Sequence, residues 1–289
     1  MLPLKDNNPT ARFPVLTVAL IVINVAVFIS QLTFPTDERL DQVGFAAIDQ
    51  SALEYGAIPY RISHADSRDC AVGAVDQSQG QLEAGVVCPG TRDYDQAVAI
   101  GQQNPEAQPI TIDEAPWWVT LFTSMFMHGG ILHIAGNMLF LWVFGNNIED
   151  QLGRVKFLLF YVLAGLIAVY TQALIDTSST APTIGASGAI SGVLGAYALL
   201  FPHARVLTLI FIIFFVTLVE IPALILLAVW FILQFVPALG QVAVETGGGQ
   251  GVAYFAHVGG FLFGLAVAAV MLLITRRGGR EEPPRLPVY

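Results

Sequence analysis

Ser187 sits between glycines, in Gly185-Ala186-Ser187-Gly188, where a strongly apolar stretch begins, and His257 sits inside another apolar stretch further along. A hydroxyl and an imidazole are what nucleophilic hydrolysis needs. The imidazole takes the hydroxyl proton and later gives it to the leaving amine, an arrangement worth about 10² to 10⁴ in rate. A serine at a helix start also lies among backbone N–H groups that lack helical partners, and these can stabilise an oxyanion. Gly185 and Gly188 let a substrate backbone come close, while Ala186 and Ala189 keep the surroundings small. His128, His133 and Asn137 stand in an earlier apolar stretch; Asn137 is one helical turn past His133, so both share a face and either can donate to the oxyanion. No carboxylate suits a third position, because Glu220 is at the far end of its loop and Asp176 is a loop residue, so a Ser-His dyad is expected rather than a triad. Each signal alone has a plainer reading. Small-x-small spacings, including Gly260 and Gly264, commonly pack helices, and a lone histidine in a span commonly serves packing or an ion path.

The elements that must carry these residues are membrane spans. Of the 289 residues 55% are hydrophobic and 12% charged, and the mean hydropathy is +0.65. That describes a polytopic membrane protein rather than a soluble domain. Crossing a hydrocarbon core of about 30 Å takes about 20 apolar residues. Five stretches qualify, Val15 to Leu32, Phe157 to Ile175, Ile190 to Phe201 with the small residues before it, Ile221 to Leu239, and Val252 to Thr275; a sixth, more polar one runs from about Met127 to Asn147. Lys5 and Arg12 precede the first run, which is longer than a signal-peptide core and is closed by no small-x-small cleavage site, so it reads as an anchor with its N-terminus inside. Six spans return the C-terminus to the inside, where Arg276, Arg277, Arg280 and Arg285 follow; Arg154, Lys156 and Arg205 fall inside as well, and Asp176 and Glu245 outside. With directions alternating, the second, fourth and sixth spans start on one face, so His128, His133, Ser187 and His257 are gathered in the outer third of the bilayer.

The net charge of -9 comes mainly from residues 33–125, with fourteen acidic residues against four arginines. This segment is too long for a turn. It reads either as a small outside domain or as partly disordered, and its acidity alone implies no basic partner. Cys70 and Cys88 both lie in it, in an oxidising compartment if the cell is a bacterium; the alternatives are a disulfide, stabilising by about 3 kcal/mol through the unfolded state, and two buried thiols. Val206 to Ala223 is apolar but holds Glu220 and Pro222, with β-branched and aromatic residues in place of a helical period, and is expected at the inner interface rather than across the membrane.

From Trp117 to about Ile274 the chain resembles the rhomboid intramembrane serine proteases. The resemblance is carried by the block from Met127 through His128-Gly129-Gly130-Ile131-Leu132-His133 to Asn137, by Gly185-Ala186-Ser187-Gly188, and by Ala256-His257-Val258-Gly259-Gly260 leading to Gly264; Glu149 to Arg154 looks like the family's cytoplasmic turn. The resemblance implies a six-helix bundle with a cavity opening outward and a Ser187/His257 dyad. It also implies oxyanion support from His128 and Asn137 with the Ser187 N–H, and places His133 and Gly185 in the same cluster. Substrates would be single-span membrane proteins cut near the outer end of their transmembrane segment, entering laterally and unwinding before attack; no metal or organic cofactor is implied. The segment from Thr33 to about Ala115 exceeds the family's usual loop, and two positions depart from its pattern. Trp117-Trp118-Val119-Thr120 lacks an arginine, and Ser191 stands four residues after the nucleophile, where an aromatic residue often stacks on the histidine.

The expectation is therefore an all-α polytopic membrane protein, a six-helix rhomboid-like bundle with a large extracytoplasmic insert between helices 1 and 2. Its divisions are a cytoplasmic N-terminus (1–14), the first helix (15–32), the insert (33–115), the catalytic core (116–275) and a cytoplasmic tail (276–289). The expected setting is a bacterial inner membrane, with lipid and single-span substrates as partners and no nucleic acid. Competing classes are a transporter or channel, a non-catalytic membrane-protein-binding relative, and a metalloprotease. The first predicts inverted halves or broken helices in matching positions, of which the sequence has neither. The last needs H-E-x-x-H, whereas His133 is followed by Ile134, Ala135, Gly136 and Asn137.

Overall fold

Thr17, Asn24 and Gln31 recur at seven-residue spacing through an otherwise apolar run, and that spacing puts them on one helix face. The run forms α1 (Val15–Leu32), whose buried stripe is Thr17, Leu20, Asn24, Phe28 and Gln31. Its polar side chains thus turn inward, as a span requires. Pro14 offers no side-chain cap to this helix. The buried Glu149 carboxylate takes that role, accepting from Leu16 N at 3.0 Å, Thr17 N at 2.8 Å and Thr17 Oγ1 at 2.8 Å, a favourable position for an anion at a helix N-terminus.

The structure is a computed structural model and describes residues 1–64, 69–78, 81–212, 215–243 and 252–278. Glu245, Arg280, Arg285 and the tail after Gly278 lie outside the described residues. Among them, four helical segments are long and apolar enough to cross a membrane: Val15–Leu32, Ile131–Leu152, Arg154–Ile175 and Tyr254–Ile274. Two shorter apolar helices, Ser187–Leu200 and Ala223–Leu239, occupy the other two stretches. The chain is mostly helical and is an integral membrane protein.

After α1 the insert begins with α2 (Glu38–Gln42), α3 (Ala47–Tyr55) and α4 (Pro59–Ser63). It continues through the antiparallel strands β2 (Ala71–Ser78) and β3 (Gln81–Val87), α5 (Arg92–Gln103) and the short strand β4 (Ile110–Thr111), in the sheet order β3-β2-β4. Leu40, Leu53, Val72 and Ile112 make one small core and Ile58, Tyr60, Cys70 and Cys88 another. Arg61 forms an ion pair with the buried Glu114. Cys70 and Cys88 are bonded, with their Cα atoms 4.2 Å apart. The described part of the segment is thus a folded unit with its own apolar centres.

Next come α6 (Trp117–Thr123) and a span made of α7 (Ile131–Phe140), a π-helical turn at Leu141–Gly145 and α8 (Asn146–Leu152). Gly153, at φ 76°, turns the chain sharply into α9 (Arg154–Ile175), a conformation that glycine adopts without a Cβ penalty. The central helix is α10 (Ser187–Leu200), in which every residue from Gly188 to Ala198 is buried. At about 1.5 Å per residue its 14 residues fall short of a hydrocarbon core of about 30 Å.

The all-α expectation needs correction. β1 (Leu2–Asp6), β5 (Arg205–Ile212) and β6 (Phe215–Pro222) form a second three-stranded sheet in the order β1-β5-β6. The apolar stretch from Val206 is therefore a hairpin, with Val206 opposite Ile221 and Leu207 opposite Glu220. Its β-branched residues suit strand pairing. β1 also brings Asp6 into a buried cluster with Tyr197 and Asn147, whose hydroxyl and amide donate to its carboxylate. Burial pushes the Asp6 carboxyl up to about 6, with those hydrogen bonds opposing the rise.

The bundle closes with α11 (Ala223–Ala243) and α12 (Tyr254–Gly278). α10 and α12 meet backbone to backbone. A Cβ on Gly264 would collide with the Gly192 carbonyl, one on Gly260 with the Gly188 carbonyl, and one on Gly195 with the Phe261 carbonyl. Gly264→Ala should cost about 1–3 kcal/mol, the scale of overpacking in a closed core, and lower the thermal midpoint in detergent; an unchanged midpoint would count against this contact. Non-reducing peptide mapping should recover Cys70 and Cys88 in one linked pair, whereas alkylation of both in the extracted protein would reject the bond.

Candidate active site

Ser187 is the first residue of α10 because a tight approach leads into it. Gly185, at φ 119°, donates from its amide to Ser124 O at 2.8 Å. A Cβ there would stand 2.8 Å from His133 Nε2, so both backbone conformation and space restrict the position to glycine. The first amides of α10 have no intrahelical partners, and Ala186, the N-cap residue, gives them no side-chain hydrogen bond. His257 lies in the first turn of α12, in register with Ser187 because the glycine contacts bring the two helices together. Ser187 Oγ and His257 Nε2 are 2.7 Å apart. That is hydrogen-bond distance between a hydroxyl and a ring nitrogen.

His128 precedes α7 and is fully buried. Its Nδ1 is 3.2 Å from Phe126 O, and its Nε2 has no hydrogen-bond partner. Asn137, also buried, has an Nδ2 without a partner. Leaving such polar atoms unpaired costs about 1–3 kcal/mol each, so they are unusual groups to find in a packed interior. His133 faces His128 edge-on, with ring centroids 5.1 Å apart, and its Nδ1 is 3.4 Å from Gly129 N. The structure thus brings Ser187 against His257, and His133 against both Gly185 and His128. Cys70 and Cys88 lie apart from this cluster, in the insert.

Several residues that the sequence reading passed over complete the arrangement. The Gln31 side chain at the end of α1 clamps the His128 backbone, accepting from His128 N at 2.9 Å and donating to His128 O at 3.3 Å. Gln172 of α9, also buried, accepts from Ala256 N at 3.3 Å beside the histidine. Ser191 turns its hydroxyl back to Ser187 O at 2.6 Å, so α10 presents no ring to His257. Two residues of α11 stand there instead: Trp230, its ring centroid 6.0 Å from that of His257, and Gln234, whose Oε1 is 2.8 Å from His257 Nδ1. A signal existed for both glutamines. Gln31 continues the inward polar spacing of α1, and Gln234 is the one amide in the apolar run from Ala223 to Leu239. Among the described residues no group of three or more His, Cys, Asp and Glu is placed to hold a metal ion.

A family model, described as the Rhomboid domain, matches residues 115–274, more than half of the chain. Rhomboid protein 1, mitochondrial, of Saccharomyces cerevisiae is 37% identical over 97 residues, covering 32% of this chain and 28% of that protein. Presenilin-associated rhomboid-like protein, mitochondrial, of Homo sapiens is 33% identical over 156 residues, covering 50% and 36%. Rhomboid protease GluP of Bacillus subtilis is 41% identical over 85 residues, covering 29% and 16%. The chain spans less than half the length of each of these curated relatives.

Gln31→Leu removes both hydrogen bonds to the His128 backbone while keeping an apolar side chain of similar size. Hydrogen exchange at His128 should accelerate by roughly tenfold or more, the factor that 1.4 kcal/mol represents and within the usual cost of such a loss, with exchange in α10 unchanged. Unaltered exchange at His128 would rule the clamp out.

Proposed function

We propose, on the premise that this chain belongs to the rhomboid family, that it is an intramembrane serine endopeptidase cutting single-span membrane proteins near the outer end of their transmembrane segment. The observation that carries the reading is the 2.7 Å contact of Ser187 Oγ with His257 Nε2, made between two apolar helices. As Oγ attacks a peptide carbonyl, its proton passes to Nε2 and the carbonyl π electrons move onto oxygen. The tetrahedral intermediate collapses with cleavage of the C–N bond, and Nε2 gives its proton to the departing amine. Water then attacks the acyl-serine ester, losing a proton to Nε2, and the ester C–O bond breaks as Nε2 returns that proton to Oγ, releasing the acid and restoring Ser187 and the neutral imidazole. No redox partner or cofactor enters this sequence.

Three donor sets suit the oxyanion: the amides at the start of α10, His128 Nε2 and Asn137 Nδ2. Asn137 Nδ2 is a buried donor without a protein partner, and an oxyanion supplies the acceptor it lacks; His128 Nε2 joins it as a donor when the ring hydrogen leaves the Phe126 O contact of Nδ1 for Nε2. Preorganised donors of this kind cost no reorganisation during reaction, and removing one typically costs about 10² to 10³ in kcat. His133 supports the cluster by packing on His128 and on Gly185 rather than by direct contact with substrate.

The substrate follows from where Ser187 sits. A central helix too short to span the hydrocarbon core would present Ser187 to a peptide bond at hydrocarbon depth, where a substrate helix must first unwind and have its freed backbone groups satisfied by protein. Small or helix-breaking residues in the substrate lower that cost. Six spans, with the short helices α10 and α11 counted, keep the N-terminus and the basic end of α12 on the inner side and the insert outside. The relatives come from mitochondria, plants and a bacterium and do not favour the bacterial inner membrane over another, so the proposal concerns orientation alone. GluP carries the word protease in its name, which supports hydrolysis as this chain's class of reaction.

A fluorophosphonate probe should label the purified protein, and Ser187→Ala and His257→Ala should each reduce labelling and cleavage of a single-span substrate by at least about 10³-fold with unchanged thermal midpoints. A folded wild type that neither labels nor cleaves, or either variant with full activity, would defeat the dyad.

A further inference from the structure

We infer that Gln234 is a positioning residue for the Ser187–His257 pair, holding the imidazole in the tautomer whose Nε2 is bare and able to take the Ser187 proton; the inference rests on the protease reading above. A neutral imidazole carries one N–H on two nitrogens. For Ser187 to donate to Nε2, the hydrogen must be on Nδ1. In an apolar span an Nδ1–H without an acceptor is costly, and the ring would otherwise shift its hydrogen to Nε2 and lose its function as a base. Gln234 Oε1, 2.8 Å from Nδ1, supplies the acceptor. The chain of contacts runs Ser187 Oγ, His257 Nε2, His257 Nδ1, Gln234 Oε1 across three helices, with an amide in the place that a carboxylate takes in a Ser-His-Asp triad. An amide suits the site because it orients the ring without placing a charge at membrane depth.

The position of Gln234 supports a dedicated role. Trp230 precedes it by four residues, so both lie on one face of α11, and Trp230 also stands against His257. Two successive turns of α11 therefore address the histidine, one through its ring and one through its amide. α10 cannot do this, since Ser191 occupies the adjacent turn and its hydroxyl is bonded to Ser187 O. The base is thus attached to α12, acts on α10 and is oriented from α11. A displacement of α11 would release both holds on the ring at once.

The test compares wild type, Gln234→Leu, Gln234→Glu and Ser187→Ala, each with ¹⁵N-labelled histidine, and assigns His257 by the resonances missing from His257→Ala. Leucine keeps the volume and removes the acceptor; glutamate keeps an acceptor. The expected result has two parts. In the wild type His257 is protonated at Nδ1 with Nε2 bare, and in Gln234→Leu that signature is lost. The maximal labelling rate by fluorophosphonate then falls roughly tenfold or more, as expected on losing one buried hydrogen bond, at an unchanged half-saturating probe concentration and thermal midpoint, and Gln234→Glu restores most of it. A wild type protonated at Nε2, or a Gln234→Leu variant as fast as wild type, overturns the inference while leaving Ser187 reactive. A wild type that fails to label but shows the Nδ1–H signature, lost in Gln234→Leu, instead defeats the protease reading and keeps the hydrogen bond.

Discussion

The direct backbone contact between α10 and α12 is the constraint on which the rest depends. Gly192 with Gly264, Gly188 with Gly260 and Gly195 with Phe261 leave no room for a Cβ, so the two helices pack backbone against backbone. In lipid such packing is a main source of helix association, because apolar side chains gain little by leaving one apolar medium for another. The same contact sets chemistry. Ser187 at the head of one helix and His257 in the first turn of the other meet at 2.7 Å only because their helices approach this closely and in this register. A hydroxyl and an imidazole on helices spaced by leucines would be separated by several ångströms. The geometry of the proposed dyad and the stability of the bundle are two readings of one set of glycines.

A second fixed element is α1, which connects both ends of the site's support. Thr17, near its start, is tied to Glu149 at the end of the second apolar span, and Gln31, near its end, is tied to the His128 backbone. At about 1.5 Å per residue these points are roughly 20 Å apart along a single rigid helix. The loop bearing His128 is therefore referenced to the opposite end of the bundle rather than left to its own local hydrogen bonds. That matters for a histidine whose Nε2 is held unpaired in the interior, since the penalty for leaving it so favours any movement that would find it a partner.

The sequence exposed much of this through chemistry that is rare at membrane depth. Ser187, His257, His128, His133 and Asn137 are recognisable because polar residues in apolar runs are costly, and the structure brings Ser187 to His257 and His133 to His128. The helical spans were legible for the same reason. The sheets were less so: Val206 to Ala223 showed that it lacked a helical period, but its pairing with residues 2–6 joins segments far apart in the chain, and nothing local specifies such a partner. Gln234 and Trp230 were hidden in a different way. The sequence showed that the aromatic expected after the nucleophile was missing at Ser191, yet a substitute offered from α11 depends on how helices rotate about their axes. An amide in an apolar helix is a visible anomaly, but only its distance from His257 gives it a meaning.

The insert presents the remaining problem, because an acidic segment outside a bundle looks in sequence like a separable module. Its contacts argue otherwise. Ala57 and Thr183 exchange backbone hydrogen bonds at 3.1 and 2.8 Å, Tyr60 N donates to Ser179 O at 2.9 Å, and Ser63 Oγ donates to Thr177 O at 3.1 Å. From the other side Thr180 Oγ1 donates to Val86 O at 2.7 Å, one residue before the strand end that leads to Cys88. The segment running from α9 to Ser187 is thus held along its length by the insert, at both its helical part and its disulfide-bonded hairpin. That segment also contains Gly185, whose placement against His133 sets the entry into α10. An isolated loop of this length would lose such definition to conformational entropy, of order 1–2 kcal/mol per ordered backbone residue. The insert therefore belongs to the architecture that positions Ser187: its folded cores and the Cys70–Cys88 bond hold the surface on which the chain leading into Ser187 is laid.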